Sequence, residues 1–337
     1  MAIVVTERRA TDLDVGQCFH ARLALGWLIT VTTIPLVAPL AAVPARSAWR
    51  EIVGALVALT KPQLAIMSVL TAMVAYGTAR PSGGPLLALF TLVGTALAAA
   101  GALSLNQWWE RKADAQMRRT RGRPLPQARL TPPVALIWSL ALSVAGVGWL
   151  ASLVTVSAAV VAALTILLYG LVYTPLKRRT VWATEVGAIS GALPALLGNA
   201  AAGQLWAAPG VALTAVLLCW QMPHFFAIGW WHRADYRSAG FRVRPAVDVS
   251  GQNTARWSLF YAALLLPISL APWVLGTLGA VYGIPATVAG GAFLGCAWQF
   301  AIAPGDREAA ARRLFFASII YLPILLGALT LDRVVAL

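Results

Sequence analysis

Acidic side chains are scarce in this chain: 12 Asp and Glu stand against 26 Lys and Arg in 337 residues, for a formal net charge of +14. Charge of either sign is scarce as well, at 11% of residues, about half of what soluble domains carry. With 59% hydrophobic residues, that shortage excludes an ordinary water-soluble domain. Cysteine is nearly absent. Cys18, Cys219 and Cys296 are far apart and form no C-x-x-C pair, so neither a disulfide framework nor a thiolate zinc site is indicated. Each reads as a small packing residue. The patterns for Walker-A nucleotide binding, G-x-S-x-G hydrolases, H-E-x-x-H zincins and EF-hands are also missing.

Apolar run length is what the chain has in abundance. Stretches of roughly twenty residues recur, each long enough to cross a bilayer as a helix. They are too continuous for the alternating strands of a membrane barrel. The expected fold class is therefore an all-α polytopic membrane protein. Nine spans are read at about 62–79, 85–108, 133–153, 155–174, 181–202, 209–231, 257–280, 281–303 and 314–332. Residues 48–337 are expected to form one transmembrane domain, and residues 1–47 an N-terminal extension. Its apolar segment 23–43 follows Arg8, Arg9 and Arg22 and contains Pro35 and Pro39. It reads as an interfacial or re-entrant segment rather than a tenth span.

The positive charge is confined to alternate loops. Loops after spans 2, 4, 6 and 8 hold eighteen Lys and Arg, and the opposite loops hold Arg80 alone. This pattern argues against nucleic acid as the partner and for a lipid bilayer, with the basic loops in the cytoplasm. The expected location is a bacterial plasma (inner) membrane, with any site on these loops facing the cytoplasm.

Three segments on that side carry chemistry. Asn106, Glu110 and Asp114 stand at four-residue steps. A helix turns about 100° per residue, so the three fall on one stripe. Polar groups at the edge of a membrane helix are costly and usually mark a site. Mg²⁺ prefers such hard oxygens, commonly one or two carboxylates completed by substrate phosphates. Arg118, Arg119, Arg121 and Arg123 follow, and guanidinium groups bind phosphate oxygens bidentately. The competing reading is a solvated helix end paired with Arg111 and Lys112. The second segment is Tyr173–Arg179, Y-T-P-L-K-R-R, an aromatic-belt residue and positive-inside charges unless it faces the same site. The third places Gln221 and His224 in an apolar span around Pro223, then Asp235 in the loop that follows. His224 is either a satisfied core group or a ligand. Lys61 reads mainly as a boundary residue and Asp248 as solvated, while Glu185 has no assigned role.

Taken together, these motifs resemble the UbiA superfamily of intramembrane prenyltransferases, in its protoheme-farnesylating branch. The matching stretches are L-T-K-P at 59–62, N-Q-W-W-E through R-G-R-P-L at 106–125, Y-T-P-L-K-R at 173–178, W-Q-M-P-H-F at 220–225, R-A-D-Y-R-S-A-G at 233–240 and F-F-A-S-I-I-Y-L-P at 315–323. The resemblance implies a nine-helix bundle around a cavity, with Mg²⁺ held by Asn106, Glu110, Asp114 and Asp235. It implies farnesyl diphosphate as prenyl donor, its diphosphate met by Arg119, Arg123, Lys177 and Arg178. It implies heme B as acceptor, contacted by His224 and Tyr173, and a downstream heme A synthase as partner. Trp108, Trp109, Tyr169, Tyr173 and Phe225 are the aromatic candidates for shielding an allyl cation. The chain departs from the family pattern at Glu110 (commonly Asp), Ala234 (commonly Glu) and Ala183 (commonly Asn), and Glu185 is unexpected nearby. Competing expectations are an acceptor that is an aromatic or quinone precursor, a membrane transporter, and a structural membrane subunit. Depth separates the transporter, whose polar residues should lie at the bilayer midplane.

Overall fold

A computed structural model describes residues 45–79, 81–303 and 307–335. The chain divides by packing into Met1–Trp49 and Arg50–Leu337; the expected apolar segment 23–43 and Arg80 lie outside the described residues. The described residues are helical, without strands. The helices are α1 (Ala45–Leu59), α2 (Pro62–Thr78), α3 (Pro85–Asp114), α4 (Pro132–Leu153), α5 (Val156–Leu167), α6 (Thr174–Leu176), α7 (Ala183–Ala201), α8 (Ala208–Trp231), α9 (Arg233–Ser238), α10 (Arg244–Val247), α11 (Gln252–Val274), α12 (Ala280–Ile302) and α13 (Arg307–Val335). A widened π turn over Leu168–Tyr173 joins α5 to α6.

Prolines at the first turns of α2, α3, α4 and α8 start these helices where a missing N–H costs nothing. Among the described residues seven helices are long and apolar enough to cross a membrane, and α1 with α2, bent by 47°, would give an eighth. The nine expected spans are thus resolved as seven or eight by length and composition. The fifth expected span, 181–202, corresponds to α7, which does not meet that measure. It carries Glu185, Ser190 and Asn199, and most of its length is buried. An inner helix is covered by protein and has no need of a lipid-facing surface.

The two largest apolar cores among the described residues are shared between neighbouring helices. One, around Tyr76, Leu150, Ala162 and Leu197, joins α2, α3, α4, α5 and α7. The other, around Leu265, Phe293, Phe300 and Tyr321, joins α8, α11, α12 and α13. Helices α2 and α7 contribute to both, through Ala72 and Ala75, and Leu197 and Ala195. Large side chains such as Ile137, Val144, Val288 and Ile320 point outward, as lipid-facing side chains do. The α3–α4 seam is close because small residues line it. A Cβ on Gly146 would stand 2.4 Å from the Ala98 nitrogen, and one on Gly101 2.6 Å from the Ser143 nitrogen. This seam fixes α3, whose C-terminal half carries the candidate site.

Candidate functional site

Helix α3 continues past the expected end of its span at 108 to Asp114, keeping Asn106, Glu110 and Asp114 on one buried, inclined stripe. Each meets a cation or donor from another segment. Lys61 Nζ donates to Asn106 Oδ1 at 2.7 Å, and Asn106 Nδ2 donates to Thr174 Oγ1 at 3.0 Å. Lys177 Nζ donates to Glu110 Oε1 at 2.7 Å. Arg123 Nη1 lies 2.7 Å from both Asp114 oxygens. Three cations therefore face two carboxylates, leaving surplus positive charge in an enclosed place.

Local sequence explains how those partners arrive. Lys61 sits in the two-residue break between α1 and α2 with a left-handed backbone, φ 48°, a conformation that costs a non-glycine residue energy and recurs at functional sites. Gln107, next on α3, donates to the Leu59 and Ala58 carbonyls at 2.7 and 3.2 Å, tying α1 down beside the stripe. The π turn before α6 offsets the chain by one residue. It brings Tyr173 under Lys177, whose Nζ is 4.4 Å from the ring centroid, and Tyr169 5.4 Å from Tyr173. The turn after Asp114 is closed by Thr120, whose Oγ1 donates to the Asp114 carbonyl, and this swings Arg123 back onto the carboxylate.

The two lysines differ in electrostatics. Burial, with Arg123 and Lys177 close by, pulls the Lys61 ammonium down to about 7. Burial also opposes the charge on Lys177, but Glu110 and the two tyrosines outweigh it and hold Lys177 well above the ordinary lysine value. Lys177 is thus a fixed cation. Lys61 is charged only when something nearby favours it.

A cover closes over this group. Ala239, Phe241, Val243 and Ala246 of the 232–256 loop pack on Met117, Ala113, Ala183, Tyr173 and Leu176. Arg242 N donates to the Lys177 carbonyl at 2.7 Å, and Arg178 Nη2 to the Ala239 carbonyl at 3.4 Å. Asp235 comes to the rim, its Oδ2 accepting from the Arg119 backbone N–H at 3.4 Å. Asp248, expected to be solvated, instead caps α11, accepting from Thr254 N and Oγ1 and from Gly251 N at 2.7, 2.8 and 3.0 Å. It lies three residues before the N-cap Gly251, and its carboxylate satisfies N–H groups that the first turn leaves free.

The expected residues thus separate into three places. Asn106, Glu110, Asp114, Arg123, Lys177 and Tyr173 come together. Asp235, Arg119 and Arg178 lie at the rim and cover. His224 belongs to a separate aromatic group: its Nδ1 pairs with Ser318 Oγ at 2.7 Å and its ring lies between Trp220 and Phe315 at 5.1 and 5.0 Å. Of the aromatic candidates, Tyr169 and Tyr173 adjoin the stripe. Trp108 packs with Leu125 and Leu130, Trp109 is exposed, and Phe225 is edge-on to His224. The residues that sequence reasoning underweighted are Lys61 and Thr174. Each stands within two residues of a proline at a span boundary, the one signal that set it apart.

Among the described residues no three His, Cys, Asp or Glu side chains converge on one point. The donors fit Mg²⁺ through their chemistry: an amide and two carboxylates on one stripe, each side chain with an oxygen bonded to a Lys or Arg. Such a set suits an ion completed by phosphate oxygens rather than a protein-only cage. A cavity of about 100 Å³ adjoins Tyr169 and is lined by Ala98, Ala99, Ala102, Ile166 and Pro194. A larger cavity of about 330 Å³, lined by Pro209, Pro272, Tyr282 and Arg333 at the other end of the bundle, holds none of the expected site residues.

Residues 65–320 match the UbiA prenyltransferase family. The chain is 43% identical over 275 residues to a protoheme IX farnesyltransferase of Opitutus terrae, covering 82% of this chain and 93% of the relative. It is 38% identical to one of Solibacter usitatus, covering 82% and 97%. Among solved structures it resembles a digeranylgeranylglyceryl phosphate synthase at TM-score 0.72 and 16% identity, covering 84% of this chain and 99% of that one. It also resembles a UbiA homolog from Archaeoglobus fulgidus bound to DMAPP and Mg²⁺, at TM-score 0.58 and 14% identity, covering 81% and 98%.

Proposed function

The chain belongs to the UbiA prenyltransferase family, and from that premise we propose that it transfers the farnesyl group of farnesyl diphosphate to the 2-vinyl group of heme B, giving heme O and diphosphate. The observation that carries this reading is the buried Asn106–Glu110–Asp114 stripe met by Lys61, Lys177 and Arg123. The relatives' names supply the two substrates. We place the activity in residues 48–337, within a nine-helix membrane bundle in which α7 is the enclosed fifth span.

Asn106, Glu110 and Asp114, with Asp235 from the cover, would hold Mg²⁺. Bound there, the metal supplies positive charge against the phosphate oxygens. Lys177 and Arg123 orient the diphosphate and neutralise it as the allylic C–O bond breaks, with the electron pair leaving on oxygen. Arg119 and Arg178 add cations at the rim. The arriving anion offsets the surplus positive charge that holds the Lys61 ammonium down, so Lys61 takes up its proton and joins them. The prenyl tail enters the cavity along Ala98 and Ala102. The faces of Tyr169 and Tyr173 stabilise the allyl cation, and the loop around Phe241 keeps water from it. The vinyl group adds to the cation through a new C–C bond. Water then adds its hydroxyl to the resulting cation and releases a proton. We assign the porphyrin to the side of His224, which commits Nδ1 to Ser318 and leaves Nε2 for a ligand. A downstream heme A synthase would take the product.

The test is pigment analysis of membranes from cells with and without this protein, beside an Asp114→Ala variant. Heme O is expected only with the unaltered protein. Asp114→Ala is expected to lower turnover of farnesyl diphosphate by at least about a hundredfold, the loss seen when a transition-state charge partner is removed. An unchanged heme pool alongside prenylation of a phenolic or quinone precursor would move the acceptor to that class.

A further inference from the structure

Glu185 and Arg244 form a pair that neither the stripe nor the cover explains. Arg244 opens α10 and is 4% exposed. Its Nη2 lies 2.7 Å from Glu185 Oε1 on the first turn of α7. Its guanidinium also stacks on Trp257 and Trp182, 4.7 and 4.8 Å from their centroids, with Phe226 at 5.7 Å. The pair is singly bonded: Glu185 Oε2 and Arg244 Nε are both buried without a protein partner. Buried ion pairs repay desolvation only when geometry is excellent and the remaining polar atoms are satisfied. This pair is therefore poorly suited to raising stability. What it does is geometric. It fastens the 232–256 loop to α7 at residue 244, while Ala239 and Arg242 fasten the residues just before it to Arg178 and Lys177. Within the stretch 239–244 held by these attachments lie Phe241 and Val243, which pack with Tyr173 and Met117.

We infer that Glu185 and Arg244 are positioning residues, a clasp that holds the cover closed so that Asp235 stays in register with Arg119 and Lys177 with Glu110. Neither reaches the stripe; both act through the loop. Arg serves better than Lys here because a delocalised guanidinium can lie against the two mutually perpendicular indoles while bonding the carboxylate in its own plane. Sequence fits the same reading. Arg244 is the second arginine of R-V-R-P at 242–245, and Arg123, clasped to Asp114, is the second of R-G-R-P at 121–124. Each R-x-R-P loop thus returns its second arginine to a carboxylate on a helix, and Glu185 is the acid that the second loop needs.

The inference rests on the prenyl-transfer reading for its kinetic arm only. The experiment compares Arg244→Lys, Arg244→Gln and Glu185→Gln by hydrogen exchange over residues 232–250 of the full chain in lipid nanodiscs, and by steady-state kinetics with farnesyl diphosphate. Faster exchange confined to that loop is expected in all three. With it, kcat/KM should fall by about ten- to a hundredfold, as remote misplacement of a reacting group does, mainly through a raised KM. The Glu185→Gln/Arg244→Gln double variant should lose no more than the worse single variant. Wild-type exchange in the loop would overturn the clasp whether or not the protein turns over, and so would single losses that multiply in the double variant. If loop exchange rises while wild-type protein shows no prenyl transfer, the clasp stands and the reaction assignment falls.

Discussion

At the residue scale, most of the site follows from oxygen and nitrogen types at helical spacing, because helix geometry turns a four-residue step into a face without further information. Asn106, Glu110 and Asp114 are legible for that reason. Lys61 is not, since its reach to Asn106 depends on a left-handed backbone at the α1–α2 break and on Gln107 pinning α1. Glu185 was opaque because its partner is 59 residues away. Lys61 leads to a pH prediction for the protein without diphosphate or metal. Its folded value of about 7 is below the ordinary 10.5, so between those values the unfolded chain binds more protons. Stability should then rise with pH across that window and flatten below about 7. Lys61→Met should remove the rise, read as the difference in thermal midpoint between pH 7 and 9.5 for the two proteins. Parallel pH profiles would show that Lys61 keeps an ordinary ammonium.

At the element scale, α3 carries two jobs along one continuous line of four-residue steps. Ala98 and Ala102 line the cavity, and Asn106, Glu110 and Asp114 follow on the same inclined row. The change from methyl groups to oxygens along that row matches a molecule with a hydrocarbon tail and an anionic head. The helix was legible from its apolar run. Its row of alanines was not, because small residues also serve close packing: Ala98 adjoins Gly146 in the seam with α4 as well as lining the cavity, and the two uses look alike in sequence. Ala102→Phe should fill the cavity. It is expected to raise KM for the fifteen-carbon donor by about tenfold or more, as closing a hydrophobic pocket to added methylenes does, while a ten-carbon diphosphate is still used. Steady-state assays with the two donors check this; equal losses for both would mean the tail lies elsewhere.

At the scale of the whole molecule, the ends of the bundle differ in charge, and that asymmetry decides where the chemistry faces. The stripe, Lys177, Asp235 and the cover all lie where α3, α6 and α8 end, beside the arginine-rich loops. This clustering at one face disfavours a transporter, whose ion path would cross the midplane. Charge counting predicts that this end faces the cytoplasm, since loop cations are set by sequence alone. The number of spans was less legible: α7 is recognised as a bundle helix only by the neighbours that enclose it. Orientation leads to a labelling prediction. In a variant with Cys18, Cys219 and Cys296 replaced, a single cysteine is placed at Ser82, between α2 and α3, or at Ser250, before α11, both exposed. In intact cells a membrane-impermeant maleimide should label Ser82→Cys and leave Ser250→Cys unreacted, and inverted vesicles should reverse the pattern. Labelling of Ser250→Cys in intact cells would put the basic loops outside, and with them a site that could not draw on cytoplasmic diphosphates.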